Sequence, residues 1–378
     1  MSQADAGRAG PDRRTNAGRA GPDRDSEKVP PDMRAALLRD WNDLSVDTVP
    51  TPDLGHGEVL LRVGACGICG TDLKIVSGGF EGTWPPSLPF VLGHEWAGRI
   101  VALGPGTEDS DLHPGDRVAA ENHAGCGMCR MCRAGQYNLC ERVRRPGYKL
   151  YGHTAQGALA EYAVRPAKVL HKLPDTVSDE AGALVNQGAL TIHAVRRTGL
   201  DPGSSVAVFG PGLLGLMMAQ VARASGAADV IVVGRGERLK LAAELTGARI
   251  VDYRDADPVE AIRQLTDGRG VDRVYECAGS PAVVPQGLGS VRRGGRVALL
   301  GLTGGQGVEI SPDTLTLNEI DLMGIRSSPN AYPAIIALIA SGAVDVEPLL
   351  THVYPLEQVD EAFAALRDRT AIRPILKP

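Results

Sequence analysis

The sequence predicts a two-domain α/β protein, in which a β-rich domain is joined to a doubly wound parallel sheet. Three observations carry that expectation. From Met33 to about Leu173, short apolar runs are separated by Gly and Pro breaks. Beyond residue 178 apolar strands alternate with helical stretches. A glycine-rich motif at 210–215 then joins the first strand of that second half to its first helix. The length of 378 residues suits two or three domains.

Residues 1–31 carry two copies of Ala-Gly-Arg-Ala-Gly-Pro-Asp-Arg, at 6–13 and 17–24, with no apolar periodicity. Such a stretch buries too little surface to offset its ordering entropy, so a disordered leader is expected, with folding beginning near Met33. Val59–Val63, Arg99–Leu103 and Ala158–Val164 read as strands of the first domain. Ser205–Phe209, Asp229–Val233, Val271–Tyr275 and Arg296–Leu300 read as buried parallel strands. Helices are expected between them over Gly212–Ser225, Glu237–Leu245 and Pro258–Leu265. The tail is mixed, with helices near Tyr332–Ser341 and Leu356–Leu366 and a last strand at Ala371–Leu376. It is expected to return and complete the first domain.

Forty basic residues against 45 acidic ones give a net charge of −5, which argues against bulk attraction to nucleic acid or anionic lipid. No apolar run approaches the roughly 18 residues that cross a bilayer, and no hydrophobic signal segment follows the amino terminus. A cytoplasmic protein is expected, acting on a small molecule and not on a membrane or nucleic acid.

Gly210-Pro211-Gly212-Leu213-Leu214-Gly215 follows the apolar strand Ser205–Phe209 and opens a helix, the context a dinucleotide motif requires. Its glycines allow a tight turn and close approach to a pyrophosphate, whose charge sits at the positive end of the helix. An acidic residue that binds the adenosine ribose is expected about 20 positions on. The strand Asp229–Val233 ends instead in Gly234-Arg235-Gly236. A guanidinium pairs with a 2′-phosphate, so NADP(H) is expected over NAD(H). Glu237 keeps NAD(H) open if the loop bends differently.

Seven cysteines include Cys126-x2-Cys129-x2-Cys132-x7-Cys140. Four thiolates at this spacing can surround one tetrahedral Zn²⁺ and leave no open coordination position, so this ion should stabilise a lobe spanning about 123–141. An iron–sulfur pattern would need three residues before the fourth cysteine and a proline after it; this chain has seven, then Glu141. Two other segments carry ligand types: Cys66-Gly67-Ile68-Cys69-Gly70-Thr71-Asp72 and Gly93-His94-Glu95-Trp96-Ala97-Gly98. Taken singly, these read equally as a redox pair and a core histidine.

Taken in order with the cysteine lobe and the glycine motif, they resemble the zinc-containing medium-chain alcohol dehydrogenase family, nearest its sorbitol, threonine and polyol dehydrogenase-like branch. The resemblance spans about residues 33–378. It implies a GroES-like β-rich catalytic domain over 33–187 and 326–378, and a Rossmann cofactor domain over 188–325. It makes Cys69 and His94 ligands of a catalytic zinc, with Glu95 a further ligand or a nearby carboxylate. Asp72 would orient the histidine, and Thr71 would pass the substrate proton toward solvent. Cys126, Cys129, Cys132 and Cys140 match a structural zinc, giving two zinc ions per chain. Cys66 and Cys277 match no ligand and are expected to pack.

Two departures stand out. Where the branch has Glu-Pro, this chain reads Leu184-Val185-Asn186-Gln187. Asn186, or Gln187 on a one-residue shift, would approach the metal. Lys74 stands where relatives place a relay histidine. The expected activity is hydride transfer between a nicotinamide cofactor and a secondary alcohol or ketone, of polyol, sugar-like or cyclitol type. The alternative is a reductase without catalytic zinc, acting on an activated alkene or carbonyl. The resemblance also implies a homodimer or homotetramer, formed by extending the cofactor sheet near its last strand, read here as Arg296–Leu300.

Overall fold

The computed structural model describes residues 28–143, 145 and 148–378. The two leader repeats, and the disorder expected of them, lie outside the described residues.

The first part of the fold is antiparallel, except that the two tail strands of its larger sheet, His352–Pro355 and Pro374–Lys377, pair in parallel. Asp32–Asp40 and Asp43–Pro50 form a hairpin, with Phe90–Val91 on its free edge. The larger sheet runs in the order Leu170–Lys172, Arg117–Ala120, Glu95–Leu103, Glu58–Gly67, Pro374–Lys377, His352–Pro355, and Tyr162–Pro166 also pairs with Glu58–Gly67. The tail therefore does return: Ile375 lies opposite Gly67. A core of Leu61, Ile68, Ile75, Leu92, Trp96 and Ile100 fills this part.

Two strand boundaries differ from expectation. Ala158 and Leu159 donate to the Leu92 carbonyl outside any ladder, so the strand expected at 158–164 begins only at Tyr162. The last strand is Pro374–Lys377, because the Ala371 N–H still closes the preceding helix onto Ala365.

The second part is a six-stranded parallel sheet in the order Arg249–Asp252, Asp229–Gly234, Ser205–Phe209, Val271–Glu276, Val291–Leu299, Asp321–Gly324. Strand order reverses beside Ser205–Phe209, the arrangement of a Rossmann sheet, which binds ligands beyond the strands' carboxyl ends. A short strand, Asp321–Gly324, lies outside the one expected to be last, so the open edge is there and not at Arg296–Leu300. No helix among the described residues is long and apolar enough to cross a membrane.

Helix Val185–Thr198 carries the chain from the antiparallel part into the parallel one and ends on Gly199 in the left-handed region. It packs on helices Leu213–Ala224 and Tyr332–Ala340. Gly188 makes that meeting possible, since a Cβ there would come within 2.5 Å of Ile335 and 2.7 Å of Met217.

Candidate active site and metal centres

Strands Glu58–Gly67 and Glu95–Leu103 run antiparallel with Gly67 opposite Glu95. That register sets the turn after the first strand against the start of the second. Cys69 Sγ consequently lies 3.1 Å from His94 Nε2, and Glu95 Oε1 lies 3.7 Å from the same nitrogen. All three residues are buried, with their donor atoms within 4.8 Å of one another. Gly93 is required just before them. Its φ is +98°, and a Cβ would sit 2.7 Å from the Leu159 nitrogen and 2.9 Å from Cys66 Sγ.

Asp72 ties the two loops together. Its Oδ2 accepts the Cys69 N–H at 2.9 Å, capping helix Gly70–Val76, while Oδ1 lies 3.3 Å from His94 Nδ1. The imidazole is thereby turned so that Nε2 faces Cys69. Thr71 is half-buried, and its N–H donates to Cys69 Sγ at 3.2 Å.

Burial disfavours charge on His94, yet the Cys69 sulfur and the Asp72 carboxylate raise its pKa well above the ordinary value. Burial also lifts Asp72, but the His94 charge, its hydrogen bond and the Cys69 N–H outweigh this and hold the carboxyl below its usual range. A buried sulfur and two buried carboxylates around one imidazole call for a cation, and a sulfur, nitrogen and oxygen donor set suits Zn²⁺.

Glu95 is held from two sides. Gln187 Nε2 donates to its Oε1, and Arg373 Nε stands 3.3 Å from its Oε2. Arg373 is itself fixed on the Ile68 carbonyl at 2.7 Å. Asn186 faces elsewhere, its Oδ1 accepting from the Tyr332 hydroxyl at 2.8 Å. Successive helix positions point about 100° apart, so only one of these two amides can meet Glu95. His153 has no ligand-like spacing in the sequence. Its ring lies 4.5 Å from His94 and 4.8 Å from Trp84, which in turn lies 4.8 Å from Phe80. Burial pushes His153 down to about 3, so this wall beside the site is neutral. Lys74 is exposed, with its Nζ 3.6 Å from where a Cβ on Gly304 would stand.

The four lobe cysteines bring their sulfurs within 4.8 Å of one another, with Cys126–Cys132 and Cys129–Cys140 separations of 3.9 Å. A tetrahedral ion with Zn–S bonds of about 2.3 Å sets its sulfurs about 3.8 Å apart, so the donor set fits. Backbone N–H groups of Met128 and Cys129 push Cys126 down to about 6, while burial pushes Cys132 up to about 12. Sulfurs this close cannot all carry charge without a cation between them.

At the carboxyl edge of the parallel sheet, a cavity of about 1230 Å³ is lined by Gly210, Gly212, Gly234, Arg235, Tyr253 and Arg254, among others. A Cβ on Gly212 would meet nothing within 4 Å, whereas one on Gly215 would strike the Gly210 carbonyl at 1.9 Å. Gly212 thus leaves the approach open, and Gly215 lets the helix pack. Leu213 and Leu214 begin helix Leu213–Ala224, whose first N–H groups have no side-chain cap and face an incoming anion. Glu237 is paired with Lys240 at 2.8 Å and Asp252 with Arg254. Arg235 lies 5.9 Å from the Tyr253 ring and has no carboxylate partner among the described residues.

Residues 55–175 match the alcohol dehydrogenase GroES-like domain, and residues 214–341 match the zinc-binding dehydrogenase family. The chain is 39% identical to a sorbitol dehydrogenase of Bacillus subtilis over 335 residues, covering 88% of this chain and 93% of that protein. It is 35% identical to an L-idonate 5-dehydrogenase of Vitis vinifera, covering 87% and 90%. A Sinorhizobium meliloti protein described as a zinc-binding dehydrogenase and solved with NADP superposes with a TM-score of 0.84 at 33% identity, covering 92% of this chain and 99% of that one. With its antiparallel and Rossmann sheets and these relatives, the chain is an oxidoreductase that belongs to the polyol-dehydrogenase branch of the zinc-containing medium-chain alcohol dehydrogenase family.

Proposed function

We propose that this enzyme transfers hydride between NADP(H) and a secondary alcohol or ketone of polyol or sugar-like type, with one zinc ion at Cys69, His94 and Glu95 and a second in the cysteine lobe. The convergence of Cys69, His94 and Glu95 under one orienting carboxylate, Asp72, is the observation that carries this reading. Residues 33–187 and 326–378 form the catalytic domain in this reading, and 188–325 bind the cofactor. Bound there, zinc would supply Lewis acidity toward the substrate oxygen, and a nicotinamide cofactor would supply the hydride-transfer chemistry.

The chain's own groups do the positioning. Asp72 keeps His94 Nε2 aimed at Cys69, and Gln187 with Arg373 holds the Glu95 carboxylate in place. Thr71, beside Cys69 on the first turn of its helix, is the hydroxyl that hands the substrate proton outward. Gly210, Gly212 and the amino end of helix Leu213–Ala224 receive the pyrophosphate. Arg235 receives the 2′-phosphate, which the NADP in the Sinorhizobium relative supports. Sorbitol and idonate in the relatives' names support a polyhydroxylated substrate. The family resemblance supports a cytoplasmic homodimer or homotetramer.

Metal analysis with a polyol panel tests this reading. The native chain should hold two zinc ions and oxidise a polyol faster with NADP than with NAD. Cys69→Ser should hold one ion, still bind NADP and lose turnover. An active native enzyme carrying only the lobe ion would instead mark the alkene or carbonyl reductase.

A further inference from the structure

The chain crosses between its two halves twice, first along helix Val185–Thr198 and again over 325–331, between strand Asp321–Gly324 and helix Tyr332–Ala340. The second crossing holds two non-glycine residues in the left-handed region, Ser327 (φ 56°) and Asn330 (φ 57°). Such residues persist where their surroundings over-determine them. Here the surroundings are the cysteine lobe and the short strand His123–Ala124 at its start.

Asn138, 3% exposed, donates its Nδ2 to the Arg326 carbonyl at 2.8 Å. His123 Nε2 meets Ser327 Oγ at 2.9 Å. Its Nδ1 is engaged by Asn122 Oδ1 at 2.6 Å, and burial pushes the ring down to about 3. The neutral ring therefore spends its one N–H on Asn122, and the Ser327 hydroxyl donates. The Tyr137 hydroxyl accepts the Asn330 N–H at 2.7 Å, and the Gly135 carbonyl accepts Asn330 Nδ2 at 2.9 Å. On its other side, the Asn330 carbonyl takes Arg196 Nη1 at 2.7 Å, from the helix of the first crossing. A second line runs deeper. The Tyr137 hydroxyl donates to Glu121 Oε2 at 2.6 Å, and Glu121 Oε1 meets His171 Nε2 at 2.8 Å. His171 stacks on Tyr332, with ring centroids 5.0 Å apart, and Tyr332 reaches Asn186 beside Gln187. Four sulfurs closing a lobe on itself would need none of these contacts.

We propose that the lobe is a clasp: by holding 326–330, residues His123, Gly135, Tyr137 and Asn138 fix how the cofactor sheet faces Cys69 and His94. These are positioning residues, acting through the crossing and not on the substrate. The clasp rests on the dehydrogenase reading for its kinetic readout, and on hydrogen bonds of the lobe whatever ion the cysteines hold.

Two variants cut it without touching a cysteine. Asn330→Gly keeps the left-handed backbone but drops the bond to Gly135, and Tyr137→Phe removes the bonds to Asn330 and Glu121. Both should keep the native zinc content and the native Kd for NADP alone. Their kcat should fall about tenfold, because a small misplacement of reacting groups is felt strongly in the chemical step. The kinetic isotope effect from a deuterated alcohol should rise as hydride transfer slows. Spin labels on the two halves should show a broader distance distribution, a readout that needs no turnover. A lower Tm with native kcat, isotope effect and distances would overturn the clasp, as would an activity loss that tracks zinc loss. If Tyr137→Phe fails to fold, Asn330→Gly decides alone. A native chain without polyol turnover would sink the proposed reaction, while the distance measurement would still judge the clasp.

Discussion

Asp72 shows how much one buried carboxylate carries, because its two oxygens serve two different loops. Asp72→Asn keeps the shape but turns one oxygen into a donor, which cannot accept from both Cys69 N–H and His94 Nδ1. Zinc affinity at Cys69 and His94 should fall about 10–100-fold, as expected when the group orienting a ligand histidine is altered. Competition with a chelator measures this, and an unchanged affinity would refute the role. In the proposed reading, Arg235 carries the cofactor choice. Arg235→Ala should lower kcat/KM with NADP about 10–100-fold, the worth of one charged hydrogen bond at roughly 1.5–3 kcal/mol. The value with NAD should stay level; equal losses with both would remove Arg235 from the phosphate. At this scale the cysteine and histidine groups were legible, because Cys69-Gly70-Thr71-Asp72 and His94-Glu95 are short contiguous runs. Gln187 was legible only as the one-residue alternative to Asn186, and Arg373 and His153 were not legible at all: each meets the site from a distant stretch, and only folding brings Arg373 to Ile68 and Glu95.

Within the parallel sheet, strands were legible in proportion to their burial. Ser205–Phe209 is buried at every position and reads as an unbroken apolar run, while Asp321–Gly324, half-exposed at the sheet edge, gives no such pattern. What binds the central strands is partly polar. Asp272, on strand Val271–Glu276, accepts the Ser205 N–H at 2.8 Å and Arg292 Nε at 2.6 Å, so one carboxylate spans three adjacent strands. Burial pushes its pKa up, but these partners outweigh it and hold it at about 2, against an ordinary 3.8. A carboxyl lowered by folding stabilises the fold above its unfolded pKa, and that contribution fades as pH falls through the folded one. Asp272→Asn should therefore cost on the order of 1 kcal/mol at pH 7, allowing for solvent screening at this partly exposed site. The gap to the native chain should narrow between about pH 4 and pH 2. Urea unfolding at pH 7 and pH 3 reads this, and an equal gap at both would show that the charge of Asp272 does not matter.

On the scale of the whole molecule, the parallel sheet has two open edges, and only one is free for a second copy. Arg249–Asp252 borders the cofactor cavity, which Tyr253 and Arg254 line just beyond it, so a partner strand there would crowd the nucleotide. Asp321–Gly324 faces away from that cavity and leaves one side of its backbone without a ladder partner among the described residues. Leu317, 79% exposed on the helix leading into this strand, adds apolar surface beside it. An open edge with an exposed leucine beside it favours pairing with an identical edge across a twofold axis, which would make one sheet continuous through two protomers. Leu317→Lys places a charge in that contact at a position too exposed to support the protomer's own core. It should shift the chain from dimer toward monomer in light scattering at micromolar concentration while leaving the far-ultraviolet circular dichroism unchanged. A native chain already monomeric at tens of micromolar would remove the contact altogether, and a variant as dimeric as the native chain would place it elsewhere. Because pairing at Asp321–Gly324 also bears on the start of 325–331, dimerisation and the lobe would then brace the same crossing from opposite ends.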